Sequence, residues 1–395
     1  MANMMLTMGK ALLKHTLHIG ELTGMERFMV SAVTLADRAA TFLAATNIEP
    51  DLVDPRFDYE LLSKSVDANL DLFGLVRQKI HADVVAVPYW LGLMGVGTAE
   101  FGTVFKIEKR RVPYPIDYPI KKQEDIARIK IPGQATGYLK MVFDINKELQ
   151  RRYPDALVVL TFDGPWDLAM LLRGDRELPA DMRIYRDYTQ AKDQATKDKI
   201  RRFGNPDIYP AIMELTTQLS LRMVQQATEN GLSLMGATLV DQYASKPIMS
   251  REDYFKYVHP YRARVWEATG KKLNPGYMVP SPQETEQNLQ IPMLKRSGVT
   301  NYIFPQTPEG VTLPEYDLPM LELARKYKQT YSYIVHGKYL RDATEAQLDA
   351  TVQRICKMAV ETRVNLMVSI ASVPPGASTE KANYVFQLVE KYGRY

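Results

Sequence analysis

Asp163, Asp241 and His336 each stand where a short apolar run stops, in LTFDGPW, ATLVDQYAS and YSYIVHGK. A carboxylic acid at such a place needs a partner or keeps its proton through a raised pKa, and a histidine there can exchange a proton near neutral pH or ligate a metal. Tyr243, two residues past Asp241, adds a phenol. Asp241, His336 and Tyr243 are therefore the expected catalytic groups, suited to proton transfer. The ends of the neighbouring runs carry Tyr89, Trp90, Asp163 and Trp166, then Asn274, Tyr302 and Phe304. This set is rich in aromatic rings and poor in charge, as a pocket for a flat, largely apolar substrate would be. Two of its members have an equally good structural reading. Asp163 precedes Gly164 and Pro165 and fits an Asx turn, and Trp166 could simply plug the mouth of the fold.

Metal ligation is a natural question for His336. Glu315, in TPEGVTLPEYD, lies one strand–helix unit upstream and is expected to reach the same end. There is no HxxEH cluster, and the single cysteine, Cys356, excludes an internal disulfide or a thiolate-rich site. The other histidines, His15, His18, His81 and His259, fall on helical stretches.

The elements that must position these residues follow from periodicity. ADVVAVPYW (82–90), ALVVLTFDGPW (156–166), ATLVDQYAS (237–245), KLNPGYMV (272–279), TNYIFPQ (300–306), YSYIVHGK (331–338) and NLMVSIAS (365–372) read as buried strands. Amphipathic helical patterns such as IYPAIMELTTQLSLRMVQQATENG and TEAQLDATVQRICKMAVET separate them. This alternation predicts βαβ units and a parallel sheet. An eighth strand is available in FGTVFKIEK, which also reads as a surface hairpin. The expected architecture is α/β, a (β/α)8 TIM-like barrel over residues 81–395 with an N-terminal helical extension over 1–80. No Gly-rich phosphate loop follows any strand, so a dinucleotide cofactor is not expected.

Composition narrows the function classes. The 395 residues are 46% hydrophobic and 24% charged, with no unbroken apolar stretch long enough for a membrane span, so a soluble protein that does not enter a membrane is expected. The N-terminal MANMMLTMGKALLKHTLHIG is interrupted by Lys10, Lys14 and two histidines and does not read as a signal peptide. With one cysteine, a cytoplasmic location fits. The 50 basic and 46 acidic residues are interspersed, which argues against nucleic acid as a partner.

The segment GPWDLAMLLRG (164–174) resembles the Gly-Pro-Trp segment of uroporphyrinogen decarboxylase. MERFMVSAVTLADRAATF, AEFGTVFKI, YPIDYPIKKQEDIARIKIP, GVTNYIFPQTPEGVTLPE, GKYLRDATEAQL and PPGASTEKANYVFQLVEKYGRY resemble, in that order, landmarks of the wider superfamily across nearly the whole chain. The resemblance implies a (β/α)8 barrel. True uroporphyrinogen decarboxylases carry an RQAGRY-like segment that clamps substrate carboxylates and an Asp after the first strand; this chain has neither.

The resemblance is closer in pattern to corrinoid-dependent methyltransferases, the demethylating components of O-demethylase systems. It implies transfer of a methyl group from a small methylated aromatic substrate to a corrinoid on a separate corrinoid-binding protein. Some members hold zinc with a His-x-Cys pair and a distant Cys, which Cys356 alone cannot supply. Relatives acting on phenyl methyl ethers hold zinc with Glu, Glu and His. Glu315 and His336 match the second Glu and the His, whereas Phe304 or Thr300 takes the place of the first Glu. Cleaving an O-methyl bond needs a Lewis acid or a proton donor at the leaving oxygen, so either zinc acts or a tyrosine or a protonated Asp241 must donate. The alternatives are a decarboxylase or other lyase, with Arg173 and Arg176 anchoring an anionic ligand, and a catalytically silent ligand-binding barrel.

Overall fold

The computed structural model describes residues 39–48, 50–82, 84–85, 96–153, 160–232, 234, 237–241, 243–244, 248–276, 281–297, 299–300 and 314–394. Its strands, in chain order, are β1 (Ala40–Ile48), β2 (Val84–Val85), β3 (Val104–Glu108), β4 (Arg111–Asp117) and β5 (Thr161–Asp163). β6 (Thr238–Val240), β7 (Asn274–Gly276), β8 (Val299–Thr300), β9 (Tyr331–Val335) and β10 (Leu366–Val373) follow. The short β-branched and aromatic runs form these strands because their side chains pack on both faces of a pleat, as in β9, where buried Tyr331, Tyr333 and Val335 alternate with half-buried Ser332 and Ile334.

The strands assemble into two parallel arcs. One is five-stranded in the order β2-β1-β10-β9-β8, and the other is three-stranded in the order β5-β6-β7. Every pairing within the arcs is parallel, and helices fill the connections, so the fold is a helix-rich α/β arrangement built from βαβ units. In the smaller arc Asp163 is level with Val240, and Val240 with Gly276. Asp241 therefore sits one step beyond Asp163, at the same carboxyl-terminal edge.

One expectation is corrected here, and one open alternative is decided in favour of the hairpin. Residues 40–48, assigned from sequence to a helical extension, form a strand paired on one side with β10 and on the other with β2. The alanines of ATFLAATNI favour helix locally, and pairing along both edges overrides that preference. The rest of the described N-terminal region is helical, chiefly Val66–Lys79, which Ser65 caps. FGTVFKIEK contributes to an antiparallel hairpin, β3 with β4, and not to either parallel arc. Residues 1–38 lie outside the described residues.

The helix that follows β6 has an unusual turn. Arg251–Asp253 and His259–Ala268 are α-helical, but Tyr254–Val258 between them is π-helical, with the His259 N–H donating to the Tyr254 carbonyl five residues back. Among the described residues no helix is long and apolar enough to cross a membrane.

Candidate functional site

The carboxyl ends of β5 and β6 are locked to each other through one carboxylate. After Asp163 the chain goes directly into the helix Pro165–Arg173, with Gly164 as N-cap and proline at the first helical position. Gly164 has no side chain to satisfy the first helical N–H groups. Asp241 reaches across from β6 and does so: its Oδ1 accepts from the backbone N–H of Trp166 at 3.0 Å and of Asp167 at 3.1 Å. The approach is so close that a Cβ on residue 164 would lie 2.2 Å from Oδ2 of Asp241, so only glycine fits.

Asp241 also has a cation. Nε of Arg262 stands 3.3 Å from Oδ2 of Asp241, and both side chains are fully buried. The guanidinium is fixed on its other edges, donating to the Leu239 carbonyl at 2.5 Å and the Tyr254 hydroxyl at 3.1 Å. The π turn lies immediately before this arginine and carries Tyr254. Burial pushes the Asp241 pKa up, while Arg262 and the two backbone donors pull it down.

Asp163 is the contrasting case. It is buried, and among the described residues no cation or hydrogen-bond donor reaches its carboxyl group. Burial first, and the neighbouring Asp241 second, raise its pKa well above the usual carboxylate range. Burial raises both acids, but only Asp241 has charge compensation, so Asp163 is the one of the pair that holds its proton more strongly. Its backbone is held in place by the Ser220 hydroxyl, which donates to the Asp163 carbonyl at 3.0 Å.

Asp163 faces a cavity of about 320 Å³. Tyr114 of β4, Tyr118 just beyond it, Met170, Leu171 and Tyr243 make its apolar wall, and Asp163, Asp167 and Asp175 its polar one. The β3–β4 hairpin thus leans over the strand ends as one side of the pocket. The Tyr243 backbone N–H donates to Oδ1 of Asp167 at 3.2 Å, which ties the loop after β6 to the helix after β5. Burial, then the nearby Asp167, raise the pKa of the Tyr243 phenol. Tyr118 is raised by burial and by Asp175 and Glu177. What the arrangement offers is a carboxylic acid and phenols, all holding protons, around an apolar space.

The structure brings Asp163, Asp241 and Tyr243 together, with Asp241 behind the cavity wall and the other two lining it. Trp166, expected at the mouth, is fully buried and packs on Tyr209 with ring centroids 6.4 Å apart. The reason is that the helix begins at Pro165, which turns position 166 into the core. Asn274 opens β7 opposite Thr238; its side chain lies outside the described part, as do Tyr89, Trp90, Tyr302 and Phe304. His336 is at the end of β9, half-buried, where its Nδ1 accepts from the Lys338 N–H at 3.3 Å and caps the helix Gly337–Asp342. Burial and Lys338 lower its pKa, so the ring is neutral. With Nδ1 accepting, the ring proton is on Nε2.

Glu315 is exposed in the first turn of the helix Pro314–Lys326. Among the described residues no three His, Cys, Asp or Glu side chains gather as a metal site. Arg173 is engaged structurally, with Nε 2.8 Å from Asp181 and Nη1 donating to the Ile120 and Lys121 carbonyls. Sequence reasoning missed Arg262, Asp167, Tyr114 and Tyr118. Asp167 carried a signal, since an acid three residues past Gly164 belongs to a helix's first turn.

No family model and no curated protein sequence matches the chain. Among solved structures, a methyltransferase from Methanosarcina mazei is similar in fold, with a TM-score of 0.67 over 94% of this chain and 99% of that one, at 13% sequence identity.

Proposed function

We propose that the chain is a (β/α)8 barrel methyltransferase of the uroporphyrinogen decarboxylase superfamily, removing a methyl group from a small methoxylated aromatic substrate and passing it to a corrinoid protein. The barrel reading is supported by the strand order: the two arcs together run in the cyclic sequence order of eight parallel strands, and closure between β2 and β5 and between β7 and β8 would complete the ring. The fold of the Methanosarcina mazei methyltransferase is compatible with it.

The observation that carries the reading is the neutral Asp163 facing an aromatic-walled cavity at the strand ends. In the proposed reaction the substrate ring stacks among Tyr114, Tyr118 and Tyr243 with its ether oxygen toward Asp163. As the O–CH3 bond breaks, the bonding pair stays on oxygen, and Asp163 delivers its proton there, so that a phenol departs rather than a phenolate. Asp163 is left as a carboxylate beside Asp241 and regains a proton from solvent before the next cycle. Asp241 and Arg262 hold the helix N-terminus and the acid in register and keep the second charge compensated.

A corrinoid, when its carrier protein docks, supplies the electron pair that accepts the methyl group. The cavity of about 320 Å³ is at the small end of ligand pockets, of order 300–1,000 Å³, which suits one aromatic ring and leaves the macrocycle outside the mouth. Zinc on Glu315 and His336 does not fit. No third donor joins them among the described residues, and His336 already uses Nδ1 as a helix cap. The proton donor takes the role of the Lewis acid.

The test is incubation of the purified protein with 2-methoxyphenol and a reduced corrinoid protein, following the demethylated phenol by chromatography. Product that requires both proteins is the expected result. Demethylation by this chain without the corrinoid protein, or none with a panel of methoxyaromatics, would sink the proposal.

A further inference from the structure

A second cavity adjoins the Asp163 cavity at Asp175. Asp175 lines both, and the second cavity has a volume of about 510 Å³. One side of it is a face of the helix Glu177–Gln190. Arg176 is its N-cap, and Pro179, Arg183 and Arg186 follow at spacings of three and four residues, which stack side chains along one helical face. The other side is formed by Ile248 and Asp253.

The three arginines are not equivalent. Arg186 is 3.2 Å from Asp187 and 3.5 Å from Asp253, so its charge is matched. Arg176 and Arg183 are exposed and, among the described residues, have no carboxylate partner; Arg183 makes one hydrogen bond, from Nε to the Pro179 carbonyl at 3.3 Å. Neither guanidinium is charge-matched, and both line the groove, where an anion can meet them. The N-terminal end of the helix dipole adds to the positive field. Guanidinium forks match the paired oxygens of a carboxylate or phosphate. Pro179, Met182 and the exposed Ile248 give the same groove an apolar lining.

We infer that this groove is an oxyanion subsite for the same ligand whose aromatic head fills the Asp163 cavity, with Arg176 and Arg183 holding a carboxylate or phosphate at the end of an apolar arm. The inference rests on the reading of the Asp163 cavity as the substrate pocket. The ligand is thus longer than one ring, with an uncharged head and an anionic tail, and the arginines select for the tail.

Binding of four probes to the full chain tests this by calorimetry: phenol, phenylhexanoate, phenylhexanamide and phenylhexyl phosphate. The acid or the phosphate is expected to bind at least about tenfold more tightly than the amide, and the better of the two identifies the oxyanion. In the double variant Arg176→Gln, Arg183→Gln this preference is expected to vanish while phenol binds as before. Equal binding of acid, phosphate and amide by the unmodified chain would overturn the subsite, as would a preference that survives in the double variant. Failure of all four probes, phenol included, would overturn the pocket and the groove together. None of these readouts needs a methyl acceptor, so they stand apart from the outcome of the demethylation assay.

Discussion

At the end of β9, the Nδ1 of His336 accepts from the Lys338 N–H and caps the start of a helix; at the end of β5, Asp163 presents an uncompensated carboxyl group to a cavity. The histidine is the residue type better suited to proton transfer at neutral pH. It is engaged in local structure, and burial beside Lys338 keeps it neutral. The aspartate is an ordinary acid by type, yet burial and Asp241 raise its pKa well above the usual carboxylate range. The difference lies in what surrounds each group. A side chain becomes chemically useful where the fold withholds its natural partner, and Asp241 shows the opposite outcome one strand away, where Arg262 supplies it.

The sharpest way to break this comparison is Asp163→Asn, which keeps the shape and removes the proton. Demethylation is expected to fall by about 10²–10⁴-fold, the range for losing a general acid, measured as phenol release. Stability should move the other way. Because the folded pKa is raised, the folded chain keeps a proton that the unfolded chain releases above the ordinary value of 3.8. The native chain therefore loses stability as pH rises from there toward the raised pKa, at about 1.4 kcal/mol per pH unit, and the Asn variant lacks that slope. Denaturant midpoints taken across the acidic to neutral range would show it; parallel curves for the two proteins would mean that Asp163 is not a neutral acid.

Next in size is Arg262→Met, which makes Asp241 resemble Asp163 by removing its cation. A loss of about 3–5 kcal/mol is expected from equilibrium unfolding, since a buried charge is left unpaired. Adding Asp241→Asn should recover part of it, because the amide oxygen still accepts from the Trp166 and Asp167 N–H groups. No recovery in the double variant would show that Arg262 acts through packing alone.

The smallest effect is expected at His336. Replacement by Ala removes a helix cap and should cost about 0.5–2 kcal/mol, replacement by Asn much less, and phenol release should be unchanged in both. A collapse of turnover in both variants with normal unfolding would move His336 into the reaction and erase the contrast with Asp163.

Much of the parallel framework was legible in the sequence. Runs such as YSYIV and NLMVSIAS combine β-branched and aromatic residues with sharp ends, and β9 and β10 lie where those runs fall. β1 was not legible, because Ala-rich ATFLAATNI becomes a strand only through its two neighbours. At the site, an acid ending a buried run pointed to Asp163 and Asp241, but not to which of them holds the proton. That depends on Arg262, an arginine twenty-one residues after Asp241 on an amphipathic helix, which reads from sequence as a surface residue. Trp166 was misplaced because the helix starts one residue before it, and a start that abrupt depends on a cap supplied from β6.

The π turn at Tyr254–Val258 bears on the length of the gene as well as on its spelling. A wide turn of this kind accommodates one residue more than the α-helix on either side of it. Deleting a single codon in that turn would let the helix close up as continuous α with the residues beyond near their present orientation, whereas the same deletion in the α-helix on either side would rotate them by about 100°. A deletion beside the turn would therefore swing Arg262 away from Asp241, and one inside it would not. In any lineage of this chain, single deletions in Tyr254–Val258 should therefore be tolerated better than single deletions in the α-helical residues on either side.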